Sequence, residues 1–505
     1  MMNSSRKISL SMIVKNEEKY LRGCLESVKG IVDELVIVDT GSNDNTLKIA
    51  EEFGAKLYNY EWSNDFSEAR NYALSKCTCG WILYLDADER LSDHSISELR
   101  KIKSSGKLTG CKCTVINPDD FNGKPNYMRY TRLFPNNPSV RFTGAVHEQI
   151  DDSLLENKYE IIETGIEIIH TGYNVPYEEI KGKAQRNLII LESEYEKDTS
   201  AYNAFQLANT YSILKEYDEA NKYYLISVKG EIKNEYKAHA YLNLSDFELK
   251  RHNVNGALEF LNTGLQNDSS NPLLNLLASD IYLRMNLKEK ALEFCKTAYR
   301  ENKKIFSGLS KAELAVGIKP EVILSKGIYL SLFVGDKDNL NYFLPELMKE
   351  NKRLFDVFEK LINNKTISDI DEIEIMGLIS VDNIEGFLFL VENYADKLKA
   401  LELLLAIGDK FKGNSRFLRT LGLIYSENRM YNESVEVFEK SLLVEEKDPA
   451  ALFYLISVLV QSNQVERIPE LLLFAEKEFG DIPEFNQKFK ILKEKLSFIL
   501  NKQES

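Results

Sequence analysis

The sequence predicts two fold classes in one chain: an α/β N-terminal domain on a doubly wound, mostly parallel sheet, then an all-α solenoid. Up to about residue 175, short apolar runs alternate with amphipathic helical segments. From about residue 200, helix follows helix, and small residues recur at fixed offsets. At 505 residues the chain is also too long for one ordinary core.

The elements follow in order. ISLSMIV (Ile8–Val14) reads as a strand, and EEKYLRGCLESVKG as a helix closing on Gly30. DELVIVDT is a second strand, TLKIAEEFG a helix ending at Gly54, and AKLYNYEW a third strand. FSEARNYALSKC is a helix and GWILYLDAD a fourth strand. In such sheets ligands sit beyond the carboxyl ends of the strands. Asp39, Trp62 and Asp86-Ala87-Asp88 all fall at such ends.

The stretch ILYLDADERLS stands out because an apolar strand runs straight into three carboxylates and an arginine. Asp86 and Asp88, two apart in an extended turn, can approach one hard divalent cation that keeps positions open for phosphate oxygens. The ion is required, since three acids beside a diphosphate would repel it. The spacing Asp-x-Asp is weak evidence alone: Asp336-Lys337-Asp338 and Asp369-Ile370-Asp371 repeat it between helices, and both read as solvated turns. Asn43, Asp44 and Asn45 read as a helix cap, and Glu18 as a first-turn helix acid. Arg70 reads equally as a phosphate partner or an ordinary surface guanidinium.

The tail repeats itself. Ala204, Leu207, Ala208, Tyr211, Ala220, Tyr224 and Ser227 share their offsets with Asn275, Ala278, Ser279, Tyr282, Ala291, Cys295 and Ala298. The series returns at Leu418, Leu421, Gly422, Tyr425, Ser434, Phe438 and Ser441, and weakly around Leu244, Ala257 and Leu261. Small residues where paired helices touch match a tetratricopeptide-like solenoid of about 34-residue period. Asn271-Pro272 and Asp448-Pro449 punctuate repeat ends, and the pattern blurs between about 305 and 400.

Bulk properties narrow the functions. A net charge of −14 argues against a dedicated nucleic-acid binder. No apolar run approaches the ~20 residues of a membrane span, and the N-terminus lacks a secretion signal, so a cytoplasmic location is expected. The pairs Cys77-Thr78-Cys79 and Cys111-Lys112-Cys113 read as reduced, buried thiols rather than a zinc site.

SMIVKNEE, VDTGSNDNT, DFSEARN and ILYLDADE, in this order, resemble a family 2 glycosyltransferase of the Rossmann-like GT-A fold. The resemblance continues through YTRLFPN, RFTGAVHEQI and IIHTGY, then KAQRNLIILESEYEKD into the repeats. It resembles the bacterial branch with a tetratricopeptide-like tail, which includes the sublancin-type peptide S-glycosyltransferases. Asn43 and Asn45 replace the more usual Thr and Gly of the turn. The domains implied are a catalytic domain over 1–180, a connecting helix over 181–200, repeats over 201–300, an irregular helical region over 301–400 and further repeats over 401–500.

By that resemblance Asp39 holds a uracil, Asp86 a ribose and Asp88 a Mn2+ or Mg2+ ion. Glu17, Arg70 and Arg132 join the nucleotide-sugar contacts. A late histidine adds a metal ligand: His170, favoured by its glycine turn, or His147. Glu148 is the candidate base of an inverting transfer. The expected donor is a UDP-hexose, and the acceptor a cysteine, serine or threonine of a peptide or protein of the bacteriocin type. A polysaccharide or lipid-linked acceptor is the enzymatic alternative, and a non-catalytic repeat scaffold the alternative of another class. The tail is expected to bind the acceptor or to form a homodimer. Cutting the chain after residue 200 is expected to spare donor chemistry. A nicotinamide dehydrogenase is disfavoured, because SMIVKNEEKY carries no glycine-rich phosphate turn.

Overall fold

ISLSMIV forms strand β1 (Ile8–Val14), six of its seven residues fully buried, as a strand covered on both faces must be. The structure, a computed structural model, describes residues 7–105, 108–117, 126–172, 177–307, 314–365, 372–381, 383–444, 449–480 and 483–503. After β1 come α1 (Leu21–Ser27), β2 (Glu34–Asp39), α2 (Thr46–Glu52), β3 (Lys56–Asn59), α3 (Phe66–Lys76) and β4 (Trp81–Tyr84). Strands β3, β2, β1 and β4 lie side by side in parallel, so Val14 pairs with Asp39 and Ser11 with Tyr84. Their carboxyl ends therefore share one edge.

The second half departs from the parallel expectation. Strands β5 (Glu89–Leu91), β6 (Gly110–Asn117), β7 (Asn126–Pro135) and β8 (Ile161–His170) accompany α4 (Ser95–Ser105) and α5 (Asp151–Glu156). β7 runs antiparallel to both β4 and β6, and β5 antiparallel to β8, while β6 and β8 are parallel. The sheet is thus mixed, ordered β3-β2-β1-β4-β7-β6-β8-β5. Reversal at β7 brings Leu133 opposite Leu83, and the β5–β8 register sets Glu89 opposite His170. Both pairings deliver late residues to the edge where β4 ends.

β4 shows the two-residue period that divides its side chains between faces. Trp81, Leu83 and Leu85 enter one core with Leu10, Met12, Cys24 and Leu25. Ile82 and Tyr84 enter the other with Val36, Phe134 and Phe142. All six cysteines are buried free thiols; burial pushes Cys77 and Cys113 up to about 12 and Cys111 to about 11.

After α6 (Tyr177–Lys197) the described chain is helical apart from β9 (Leu314–Val316), which pairs antiparallel with β7. It divides into two compact units: residues 1–286 with 296–319, and residues 287–295 with 320–505. In the first unit, Ser245 Oγ donates to Ala257 O at 2.7 Å across a helix pair. Asn271 caps the helix Pro272–Arg284 by accepting the amides of Leu273 and Leu274. The sheet domain and the helices that follow it also share a core: Ala145 and Val146 pack with Ile190, Leu191, Phe205 and Tyr211, and Trp62 and Phe66 lie against it. Trp62 therefore packs toward the helices, with its indole N–H donated to Asn64.

In the second unit Gly422 meets the ring of Phe438, and Ser434 Oγ donates to Gly422 O at 2.7 Å. The recurring small residues sit where helices touch. Asp336 caps the helix Lys337–Glu350 by accepting the Asn339 amide, as a turn acid does. Asp369-Ile370-Asp371 and Asp448 lie outside the described residues. Among the described residues no helix is long and apolar enough to cross a membrane.

Candidate active site

Beyond β4 the chain turns through Asp86-Ala87-Asp88-Glu89, closed by the Glu89 amide donating to Asp86 O at 3.0 Å. Arg90 braces this turn by donating to the carbonyls of Ala87, Glu89 and Tyr20. Its guanidinium lies so close over Gly23 that a Cβ there would come within 2.6 Å of Nε. Arg90 is thus structural.

Five charged side chains alternate in sign across the site. Glu148 is ion-paired with Arg70 Nε, and Arg70 Nη2 donates to Asp86 Oδ1 at 2.9 Å. Asp86 Oδ2 stands 3.9 Å from Arg132 Nη1, and Arg132 Nη2 donates to Glu89 Oε1 at 2.7 Å. Both guanidinia stack near the Tyr84 ring, at 5.0 and 4.2 Å. Arg70 is 7% exposed, so it is no ordinary surface guanidinium. Burial alone would raise the Asp86 carboxyl, but the guanidinia of Arg70 and Arg132 override it and hold it at about 2. Burial and then Asp86 push Glu89 up to about 7, against the pull of Arg132.

Asp88 faces a histidine. His170 Nε2 lies 3.1 Å from Asp88 Oδ2, and Nδ1 lies 2.5 Å from Asn117 Oδ1. Thr171 ties the pair by donating its amide and hydroxyl to Asp88 O. Gly172 makes this closeness feasible: a Cβ there would lie 1.9 Å from Asp88 Oδ2 and 3.1 Å from His170 Nε2. With Nδ1–H donated to Asn117, the neutral imidazole turns a lone pair toward a carboxylate. A proton or a cation must stand between them. Burial would lower His170, yet the bond to Asp88 and the nearby acids raise it.

Glu17 belongs to the same acidic crowd. Burial, then Asp88, push its carboxyl up to about 7, with Asp86 and Asp44 adding and Lys183 opposing. Such a field fits a divalent cation. Asp88 and His170 would offer an oxygen and a nitrogen donor to such an ion. Among the described residues no group of three or more His, Cys, Asp or Glu could hold a metal by itself. His147, the other candidate, sits in left-handed backbone (φ 57°) and makes no ion pair with Asp88.

The loops beneath are zipped together. The Asp39 carboxylate accepts the amides of Gly41 and Ser42, a turn that requires Gly41 at φ 111°. Asn16 Oδ1 accepts the Asn43 amide, and Glu17 N donates to Thr46 Oγ1. Glu18 does not start α1, which begins at Leu21. It accepts the backbone amide and side-chain N–H of Asn45 at the start of α2. Neighbouring chain ends, rather than its own helix, provide its partners.

Glu89 and Asn117 were not singled out from sequence. For Glu89 a signal existed: Leu85, Ala87, Glu89 and Leu91 share the inward parity, and a carboxylate in that series must be paired. Asn117 carries no such mark.

Compared with known proteins, residues 9–158 match the family described as Glycosyl transferase family 2, and residues 417–448 a Tetratricopeptide repeat. A TPR repeat-containing protein of Synechococcus elongatus is 42% identical over 192 residues, which cover 37% of this chain and 47% of that one. The SPbeta prophage-derived glycosyltransferase SunS of Bacillus subtilis is 32% identical over 189 residues, 37% of this chain and 44% of that one. The matched segment thus spans less than half of each relative. A solved structure titled "Crystal structure of S. aureus TarS 1-349" aligns with 61% of this chain and 93% of its own at 17% identity and a TM-score of 0.27. His170 lies beyond the family match, on β8. The sheet domain is thus similar to family 2 glycosyltransferases over residues 9–158, and the helical tail to a tetratricopeptide repeat over residues 417–448.

Proposed function

We propose that this protein transfers a hexose from a UDP-sugar, with inversion and with Mn2+ or Mg2+, to a side chain of a peptide or protein acceptor in the cytoplasm. The observation that carries this reading is the Asp88–His170 pair, 3.1 Å apart at the strand edge, beside two buried guanidinia. When bound there, the cation neutralises charge gathering on the departing diphosphate. Asp88 and His170 would hold it, with the guanidinia of Arg132 and Arg70 beside Asp86 as the neighbouring positive charge. Asp39 and Asp86 are the proposed uracil and ribose contacts, a reading the family resemblance supports, and Glu17 lies in the electrostatic field of Asp86 and Asp88.

Glu148 is the proposed base. Its carboxylate is ion-paired with the buried Arg70 guanidinium. A thiol acceptor with a pKa of about 8.5 needs less help than a hydroxyl, which favours cysteine. A peptide acceptor is supported by the contact of Gln149 Nε2 with Tyr202 OH at 3.3 Å, which leads from the base to the first tail helix. The helical tail offers the surface for that peptide or for a second copy of the chain.

The test incubates the protein with Mn2+, a panel of UDP-sugars and peptides encoded beside its gene, read by mass spectrometry. One added hexose on a peptide cysteine is expected. Transfer only to lipid-linked or polysaccharide acceptors would overturn the acceptor assignment, and no transfer from any UDP-sugar would overturn the reading.

A further inference from the structure

The helix α6 carries two cations outside the charge array at the end of β4. Lys183 and Arg186 lie three positions apart, so they share one helix face, about 5–6 Å apart at Cβ. Both are exposed, and among the described residues neither is ion-paired with a carboxylate. Arg186 donates Nε and Nη2 only to its neighbour, Asn187 Oδ1, at 3.3 and 3.1 Å. It reaches solvent, yet enough protein surrounds it that burial lowers its pKa, and no acid opposes that. A cation both open to solvent and crowded by protein lines a cleft.

Their neighbours identify that cleft. Lys183 is the positive charge acting on Glu17, past the end of β1, against the push of Asp88 and Asp86. The Arg186 guanidinium lies 5.4 Å from the ring of Phe66. Phe66 opens α3 one turn before Arg70, and its amide donates to Ala145 O in the loop that carries Glu148. The two cations therefore stand beside both flanks of the acidic strand edge. Charge complementarity names their ligand. As its bond to the sugar breaks, a diphosphate gains more negative charge than one divalent ion balances. Solvent-open cations with no carboxylate to give up can meet that charge at little cost.

We propose that Lys183 and Arg186 form a cationic contact on α6 for the diphosphate of a nucleotide sugar, separate from the metal seat. This rests on the nucleotide-sugar reading above and adds two residues to it.

The test titrates the full chain by calorimetry, first with Mn2+ alone and then with UDP at saturating Mn2+, for the parent, Lys183→Gln and Arg186→Gln. UDP affinity is expected to fall about tenfold in each variant, the loss of one charge-assisted hydrogen bond. Mn2+ affinity should stay level or rise, because removing positive charge near Glu17 and Asp88 favours a cation. A merely structural role would weaken both ligands together. Parent-like UDP affinity in either variant, or an equal loss of Mn2+ and UDP, would overturn the inference. Should Arg186→Gln not fold, Lys183→Gln carries the comparison: weaker UDP with level Mn2+ supports it, and parent-like UDP overturns it. Absence of UDP binding in the parent would instead sink the nucleotide-sugar reading, and this inference with it.

Discussion

His170 Nε2 and Asp88 Oδ2 lie 3.1 Å apart, although 82 positions separate them along the chain, and Gly172 leaves no room for a side chain against either. If this pair is the proposed cation seat, losing one donor removes it. Asp88→Ala should reduce sugar transfer by about two to three orders of magnitude, as losing a charge-stabilising group does. The melting midpoint should barely move. Transfer at the parent rate with Mn2+ present would reject the metal assignment.

Gly172→Ala probes the same seat without removing a ligand. The added methyl would meet Asp88 Oδ2 at 1.9 Å, so the carboxylate must leave. Mn2+ affinity measured by calorimetry should fall at least about tenfold, in keeping with the effect of disturbing ligand support. Unchanged affinity would show that Asp88 does not bind the ion in this position.

Glu34 predicts an acid limb in the stability curve. Burial would raise this carboxyl, but bonds from Lys56, Ser9 and Thr78 override it and hold it at about 2. A lowered folded value means stability present above pH 4.5 and lost as pH falls through about 2. Glu34→Gln should cost about 1–3 kcal/mol at pH 7. It should also flatten the fall between pH 4.5 and 2, as followed by urea unfolding. An unchanged acid limb would show that the pinning bonds do not form.

Truncation separates the helices by role. The core formed by Ala145 and Val146 with Phe205 and Tyr211 flanks the loop carrying Glu148, and β9 adds to the sheet through β7. Cutting after residue 200, contrary to the expectation from sequence, should therefore abolish metal-dependent UDP-sugar hydrolysis. Cutting after residue 319 should retain hydrolysis. Equal hydrolysis by both fragments would show that the first helices do not support the catalytic loop.

Gly422→Ala reverses the usual helix ranking. Alanine normally favours a helix by about 1 kcal/mol over glycine. Here its Cβ would lie 2.7 Å from the Phe438 ring, and overpacking should cost about 1–3 kcal/mol. Thermal unfolding should register the loss while UDP affinity stays constant; a raised midpoint would show that the helix pair has slack.

Much was legible from order along the chain. The four parallel strands followed from apolar runs between helices. The repeat contacts of Gly422, Ser434 and Phe438 followed from spacing, because both patterns are local and periodic. Asp86, Asp88 and Arg70 were legible as a cluster because they sit where strands or their feeding helices end.

What needed the third dimension were pairings between distant segments. The reversal at β7 made the sheet mixed and carried Arg132 to the edge of β4. The glycine turn had favoured His170 over His147, and the register of β5 on β8 brought it against Asp88. Glu18 served a helix other than its own, and Glu89 became the brace of a guanidinium on another strand. Periodicity states which face a residue occupies, whereas strand order and register state which residue it meets there. Charge chemistry depends on that meeting, because a buried carboxylate is stable only beside the partner that the fold brings to it.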